Sequence, residues 1–209
     1  MRGSWACAAA LRAALTGLAL AGMPVRAAPS GDWPCIQPRV PELSAATFWS
    51  GPPLDDSAAK AWRDNSDVAR LVTGVVSRRT PVEDAEKMIA DYAGAHKGDK
   101  DGLMLVFAGA FGELNGLRTR IVHGIERFAR NQRQLSEALN KDRAELSTLI
   151  AATEKTEQQR ARIQELQTKI QWQTRLHNER QGALRYVCET PVLLEQRIFS
   201  IARAVQNEM

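Results

Sequence analysis

Apolar residues recur at helical spacing along most of this 209-residue chain. Two short amphipathic segments, over 55–62 and 66–77, precede a longer helix over 81–95, for which the Thr80 side chain is the expected N-cap. An apolar run of nine residues then begins at Leu103. It is far shorter than the roughly 20 residues needed to span a bilayer, so it predicts a buried core helix. The pattern as a whole predicts an all-α fold.

The following segment contains few helix breakers, because no proline occurs over 82–190. Its apolar spacing lapses before Thr156, which begins a Thr-Glu-Gln-Gln sequence of the capping-box type. One continuous helix over 103–188 would be about 130 Å long and largely exposed. A chain reversal near 151–157 buries more surface, so we predict a long antiparallel, coiled-coil-like hairpin over 113–188.

The second half of this hairpin keeps a heptad spacing of apolar positions. Its two seams are 163/170/177/184 and 166/173/180/187. Polar residues at Gln173, His177 and Arg180 interrupt these seams, so the coil is expected to be marginal unless it packs against something else. The last helix is expected to start or kink at Pro191 and to close the helical core.

The N-terminus has the pattern of a signal peptide, predicted over residues 1–27. A basic Arg2 precedes a stretch of apolar and small residues, and small side chains precede Ala28. The mature chain is therefore expected to begin near Ala28 and to be periplasmic or secreted.

An extended strap is predicted over 28–62. Six prolines lie in this segment, and proline both lacks a backbone donor and disfavours helix at the residue before it. Apolar residues such as Trp33, Ile36 and Trp49 are too frequent for a disordered tail, so the strap should lie across the helices. Its use as a partner-binding segment remains an alternative. The remaining residues, 63–209, form the predicted helical domain.

Two cysteines survive removal of the signal peptide, Cys35 and Cys188. Cysteines in an oxidising compartment usually pair. We predict a disulfide between them that ties the strap to the C-terminal helices, with free thiols or an intermolecular bond as alternatives.

The charge balance gives little support to nucleic-acid binding. Without the three arginines of the signal, the chain has 25 basic and 24 acidic side chains, whereas phosphate recognition needs a concentrated basic excess. Residues 116–185 are locally basic, with 14 basic and 8 acidic side chains. This segment predicts either helix surfaces neutralised within the fold or a basic face for an anionic partner such as an envelope lipid.

The sequence contains no catalytic motif that we can identify. The histidines, His96, His123 and His177, do not have metal-ligand spacing on one helix face. Nucleophile elbows, phosphate-binding glycine loops and dinucleotide fingerprints are absent from the sequence. We therefore expect a protein that is not an enzyme and that has no cofactor and no metal.

Small and aromatic residues supply candidate contacts for a ligand or a partner. Gly109, Gly112 and Gly116 share one helix face, where another helix, the strap or a second copy of the chain could approach the backbone, so a homodimer is one alternative. Trp33 and Trp49 are the aromatic candidates.

Two function classes follow. The favoured one is an exported periplasmic scaffold or adaptor that acts by binding another envelope protein. The alternative is a non-enzymatic binding module for a small ligand or an anionic envelope component, held between the strap and the glycine-bearing helix.

The signal-peptide hypothesis predicts the mass of the exported protein. Intact-mass measurement of chain recovered from the periplasm should give a species that begins near Ala28, because small residues precede that position. A mass that retains Met1, or recovery only with membranes after salt and carbonate washes, would contradict export as a soluble protein.

Overall fold

The computed structural model describes residues 33–54 and 58–209, with only the backbone described at Ala58. The predicted signal peptide and the first residues of the strap lie outside this range. A short 3₁₀ helix at Ala45–Thr47 precedes five α-helices. These are α1 Ala58–Ala61, α2 Ser66–Val76, α3 Val82–Ala95, α4 Lys100–Ala151 and α5 Glu157–Asn207. No strand occurs within the described residues, and the all-α prediction is confirmed.

Side-chain caps are present at the starts of α2, α4 and α5. The Asn65 side chain accepts hydrogen bonds from the backbone N–H groups of Asp67 and Val68, at 3.0 and 3.2 Å, at the start of α2. Asp99 accepts from Gly102 N–H at 2.8 Å at the start of α4. Each cap satisfies backbone donors that have no partner within the helix.

The prediction that Thr80 caps α3 is wrong. Pro81 holds the N-cap position with an extended ψ of 155°, and no side chain caps this helix. The Thr80 carbonyl instead accepts a hydrogen bond from Arg197 at 2.8 Å. Arg197 also donates to the Val75 carbonyl at 2.7 Å, so one buried guanidinium binds the α2–α3 loop to α5. Burial lowers the pKa of Arg197.

The predicted reversal of the chain is confirmed. Helix α4 ends at Ala151, and Thr156 begins α5 with a complete capping box. The Thr156 hydroxyl accepts from Gln159 N–H at 3.2 Å, and the Gln159 side chain accepts from Thr156 N–H at 2.8 Å. Both helices extend beyond the predicted hairpin limits of 113–188. Each of them therefore forms part of the core as well as part of the hairpin.

The predicted start or kink at Pro191 is not a helix boundary, because α5 continues through this residue. Proline inside a helix costs about 3 kcal/mol. Burial of one large apolar side chain contributes about 1.5–3 kcal/mol, and the turns after Pro191 bury Leu194, Ile198 and Ile201. Packing therefore holds the helix through the proline.

The core lies where the start of α4 meets the end of α5, covered by α1, α2 and α3. Phe107, Leu114 and Ile198 are almost completely buried in it. The predicted apolar face of α2 is buried as expected: Val68, Leu71, Val72 and Val75.

The strap lies over α4 and α5 and is held by polar contacts as well as apolar ones. Arg118 on α4 donates to the Val40 carbonyl at 2.7 Å and to Glu195 at 2.6 Å. The Asn115 side chain exchanges two hydrogen bonds with the Leu43 backbone, at 3.2 and 3.3 Å. Backbone groups of the strap thus find partners outside any regular element.

The strap differs from the prediction in two respects. The 3₁₀ helix at Ala45–Thr47 interrupts the predicted extended segment of 28–62, whereas α1 lies within the short helical segment predicted over 55–62. Ile36 is 97% exposed, although the strap residues were expected to bury their apolar side chains. It lies next to Cys35, which is itself buried and bonded to Cys188.

The predicted Cys35–Cys188 disulfide is present, with the two Cα atoms 5.6 Å apart. It ties the start of the described strap to the middle of α5. Next to it, Trp33, Val122 and Ile125 form a small second apolar cluster with Cys35.

The disulfide closes a loop of 153 residues in the unfolded chain, for which the entropy model gives at most about 5 kcal/mol. Cys35→Ser and Cys188→Ser should lower the free energy of unfolding by similar amounts, because each variant loses the same bond. The double variant should lose no more than either single one. Chemical denaturation measures these values, with reduced wild type as the control, and non-reducing peptide maps with both thiols free would rule out the bond.

Candidate functional site

The most distinctive surface of the molecule is a two-helix arm, residues 126–190. The structure describes all of these residues, and only four of them are buried: Gln132, Leu139, Asp142 and Leu166. The distance along α4 from Glu126 to the reversal is about 38 Å at 1.5 Å per residue. Most of the arm's surface is therefore available for contact with another molecule.

Polar contacts join the two helices of the arm. Arg162 donates to both carboxylate oxygens of Glu145, at 2.7 and 3.0 Å, and this hydrogen bonding lowers the pKa of Glu145. Lys169 Nζ lies 2.9 Å from Asp142 Oδ2. The Arg162–Glu145 pair is more than one third exposed, and ion pairs at such sites contribute about 0–1 kcal/mol each. The predicted weak seam is thus held mainly by a few apolar side chains, with Leu166 at its buried position.

A cleft of about 530 Å³ opens at the base of the arm, between the strap and the two long helices. Its walls are partly apolar and partly polar: Trp33, Pro34, Phe128, Ala129, Gln132, Arg133, Ser136, His177, Gln181 and Leu184. Gln132 is 6% exposed, and its Nε2 donates to the His177 carbonyl at 3.2 Å. Its buried Oε1 accepts no hydrogen bond from the described residues. This oxygen is therefore an unpaired buried acceptor in a residue that lines the cleft.

The two candidate tryptophans lie in different places. Trp33 is part of the small cluster beside the disulfide and lines the cleft. Trp49 belongs to the main core, where it stacks on Phe107 with ring centroids 4.5 Å apart. The strap therefore packs directly on α4 at Trp49, and the two tryptophans do not line one common pocket.

The three candidate glycines have different surroundings. A Cβ added at Gly109 would lie 2.8 Å from the Trp62 ring and 2.9 Å from Val72, so this glycine does permit a close approach. A Cβ at Gly112 would meet nothing within 4 Å, and one at Gly116 would meet only Arg120 at 3.7 Å. The expected packing against a glycine face is therefore confined to Gly109, because α1 and α2 cover α4 at its start.

His177 lines the cleft at the base of the arm, and His96 contacts Tyr92 on α3. His96 Nδ1 lies 3.0 Å from the Tyr92 carbonyl and its ring stacks on the Tyr92 ring at 4.3 Å. Burial and a hydrogen bond to Asp99 raise the pKa of Tyr92 to about 12. Across residues 33–54 and 58–209, no three His, Cys, Asp or Glu side chains are placed to hold a metal ion. In the same residues, no helix has the length and apolar character to cross a membrane.

Helix α5 has an exposed apolar line on its outer face, which was not among the sequence predictions. Trp172, Tyr186 and Leu193 are 63%, 68% and 57% exposed, respectively. They lie at intervals of 14 and 7 residues, so they belong to one heptad line. A search of α5 for a second seam would have found this line.

The buried Gln132 side chain has a hydrogen-bond partner for Nε2 but none for Oε1 among the described residues, and this leads to a stability prediction. Gln132→Leu removes one hydrogen bond and one unpaired buried acceptor, which carry opposing contributions of about 1 kcal/mol each. We expect a free energy of unfolding equal to or slightly above that of wild type. Leu139→Ala, in the same helix, should cost about 2–5 kcal/mol and serves as the control. A large loss with Gln132→Leu in denaturant titrations would mean that Oε1 is engaged in the purified protein.

Comparisons with known proteins did not identify a relative. No family model matches the chain. No curated protein and no solved structure shows significant similarity to it. We therefore infer its function from the geometry and chemistry of this chain.

Proposed function

We propose that this chain is an exported periplasmic protein that acts as a helical scaffold or adaptor and binds another envelope protein through its arm. The observation that carries the proposal is the arm itself. Two helices extend from the core for about 38 Å on the α4 side, and four of the 65 residues over 126–190 are buried. A chain that needed these residues only for folding would bury more of them.

The bond between Cys35 and Cys188 supports the proposed location. Structural disulfides persist in oxidising compartments and are rare in the cytosol. This one joins the strap to α5 at the base of the arm. The base is thereby held against the core, while the distal part depends on the weak polar seam.

The charge of the distal arm, residues 138–171, favours a protein partner over an anionic surface. This segment contains six basic and five acidic side chains. Several of these charges pair across the hairpin, as Arg162 does with Glu145 and Lys169 does with Asp142. Exposed, mixed charge is typical of the rim of a protein interface, whereas a lipid or nucleic-acid surface requires an excess of positive charge. Ile150, which is 51% exposed near the reversal, adds an apolar contact at the tip.

Excision of the distal arm tests the proposal. Deleting 138–171 and joining the ends with a short Gly/Ser linker removes a segment of nearly balanced charge and retains the Gln132–His177 contact. The core and the disulfide should form as before, as shown by circular dichroism and peptide mapping. Capture of the partner from envelope extract should fall by at least ten-fold.

Matched substitutions localise the contact. Lys141→Ala, Glu154→Ala and Arg160→Ala together alter exposed charges of the arm, and Arg78→Ala, Glu86→Ala and Lys100→Ala make the same change on the core. Only the arm set should weaken capture. A photo-crosslinker at Ile150 should label the partner, while one at Ile36 on the strap should not. Full capture by the excised variant would assign partner binding to the strap or the core instead.

The cleft at Trp33 and Gln132 supports a second candidate function, the binding of a small neutral molecule that carries an N–H or O–H donor. Its specific support is the buried Gln132 Oε1, which accepts no hydrogen bond from the described residues. On this alternative the excised variant keeps its activity, because the excision retains all the residues that line the cleft. Gln132→Leu would remove the acceptor and weaken binding.

A further inference from the structure

Both long helices contain a local weakness at the base of the arm. On α5, Pro191 has no backbone N–H, so the Val187 carbonyl lacks its usual helical donor. The Thr190 hydroxyl donates to the Tyr186 carbonyl at 3.1 Å, and hydrogen bonds of this kind often bend helices. On α4, Gly124 leaves the backbone freer than a residue with a side chain would. Each helix therefore resists bending less here than a regular helix does.

The two weak points lie at the same level of the arm. The small apolar cluster beside the disulfide joins this part of the two helices, from which it takes Val122, Ile125, Val187 and Cys188. Gly124 lies within the α4 part of this stretch, and Pro191 is about one turn beyond its α5 part. We call residues 122–125 and 187–191 the hinge level. Bending of both helices at this level would redirect the arm as a unit.

The buried part of the main core stops before the hinge level. Its last buried residue on α4 is Leu114, and its first on α5 is Leu194. At the hinge level, burial depends instead on the small cluster, to which the strap contributes Trp33 and Cys35. These are two of the four buried members of that cluster. The packing that holds the base of the arm is therefore supplied in large part by the strap.

The strap crosses the hinge level and contacts the helices on both sides of it. On the core side, Asn115 and Arg118 of α4 bind the backbone of the strap. On the arm side, Arg39 of the strap pairs with Glu126, and Trp33 lines the cleft at the base of the arm. The disulfide fixes the same stretch of the strap to α5 at the hinge level. A bend away from the strap would have to stretch it or break these contacts.

We propose that the base of the arm is a hinge and that the strap is a splint that holds the hinge in one orientation. The two helices supply the flexible points, and the strap supplies the restraint. The arm changes its direction relative to the core when the strap yields. This motion belongs to the chain alone and goes beyond the proposed function, because it requires no partner.

The distance between the core and the arm reports the orientation of the arm. Lys141 lies about 25 Å beyond Gly124 along α4, so a bend of about 20° at the hinge level would move it by about 9 Å. Spin labels on p-acetylphenylalanine, placed at Lys141 and at either Glu86 or Arg70, avoid any reaction with the cysteines. All three side chains are exposed. Two core positions are used because one distance can be insensitive to the direction of bending.

Lengthening the strap tests the splint in the full mature chain. The slack variant carries six Gly/Ser residues between Arg39 and Val40, which add up to about 20 Å of chain and remove no contact residue. Electron paramagnetic resonance should give a narrow distance distribution for wild type. In the slack variant, at least one of the two core-to-arm distributions should broaden by about 9 Å. Cys35→Ser with Cys188→Ser releases the strap without an insertion and should broaden the same distribution.

Stiffening the helices tests the location of the hinge. The stiffened variant adds Pro191→Ala and Gly124→Ala to the slack variant. The first restores a backbone donor, and the second is tolerated because a Cβ at Gly124 would meet only the Arg127 side chain, at 3.9 Å. The broadened distribution should lose at least half of its added width. The matched control carries Gly112→Ala and Gly182→Ala instead, where a Cβ would meet nothing within 4 Å. It should stay broad, because both positions lie away from the hinge level.

Two further controls separate pivoting of the arm from other changes. The same six residues inserted between Thr153 and Glu154, at the arm tip, should leave the core-to-arm distributions as in wild type. A label pair at Ser147 and Asn178, within the arm, should keep its distance in every variant, which distinguishes pivoting from separation of the two arm helices. Slack and disulfide-free variants no broader than wild type would overturn the proposal. So would a stiffened variant that stays as broad as its matched control, or a change in the pair within the arm.

Discussion

The apolar start of α4 packs against the apolar end of α5, and the other elements depend on this contact. The two helices are nearly equal in length, at 52 and 51 residues, and the chain reverses between them. Phe107 and Ile198, which are nearly a hundred residues apart in the sequence, therefore belong to one core cluster. Helices α1 to α3 cover that cluster, and the same alignment brings Cys188 to Cys35. A different alignment of the two helices would remove both the core and the disulfide.

Stability is distributed unevenly along these two helices. The core end buries large apolar side chains, whereas the arm relies on Leu139, Leu166 and partly exposed ion pairs. Segments with few buried apolar contacts open at lower free energy than the core does. The distal arm can therefore adapt to a partner without loss of the core, and the disulfide limits this freedom to the part beyond the base.

Several features were predictable because they depend on neighbouring residues only. The capping box at Thr156 and the apolar face of α2 are short-range patterns, and both are present. Predictions that needed knowledge of distant contacts were less successful. Thr80 was expected to cap α3, but its carbonyl is used by Arg197 more than a hundred residues later. The expected glycine face is covered at Gly109 only, since Trp62 packs there and nothing packs at Gly112.

The sequence by itself predicted the helical class, the position of the reversal and the pairing of Cys35 with Cys188. Each follows from helical periodicity, local capping or the small number of thiols. The tertiary structure decided that α5 continues through Pro191, that Trp33 and Trp49 occupy separate clusters, and that Trp172, Tyr186 and Leu193 on α5 are left exposed. These outcomes depend on which faces of two long helices meet, and that is set by the total packing of residues distant in sequence. Burial of the last turns of α5 outweighs the local preference of a proline.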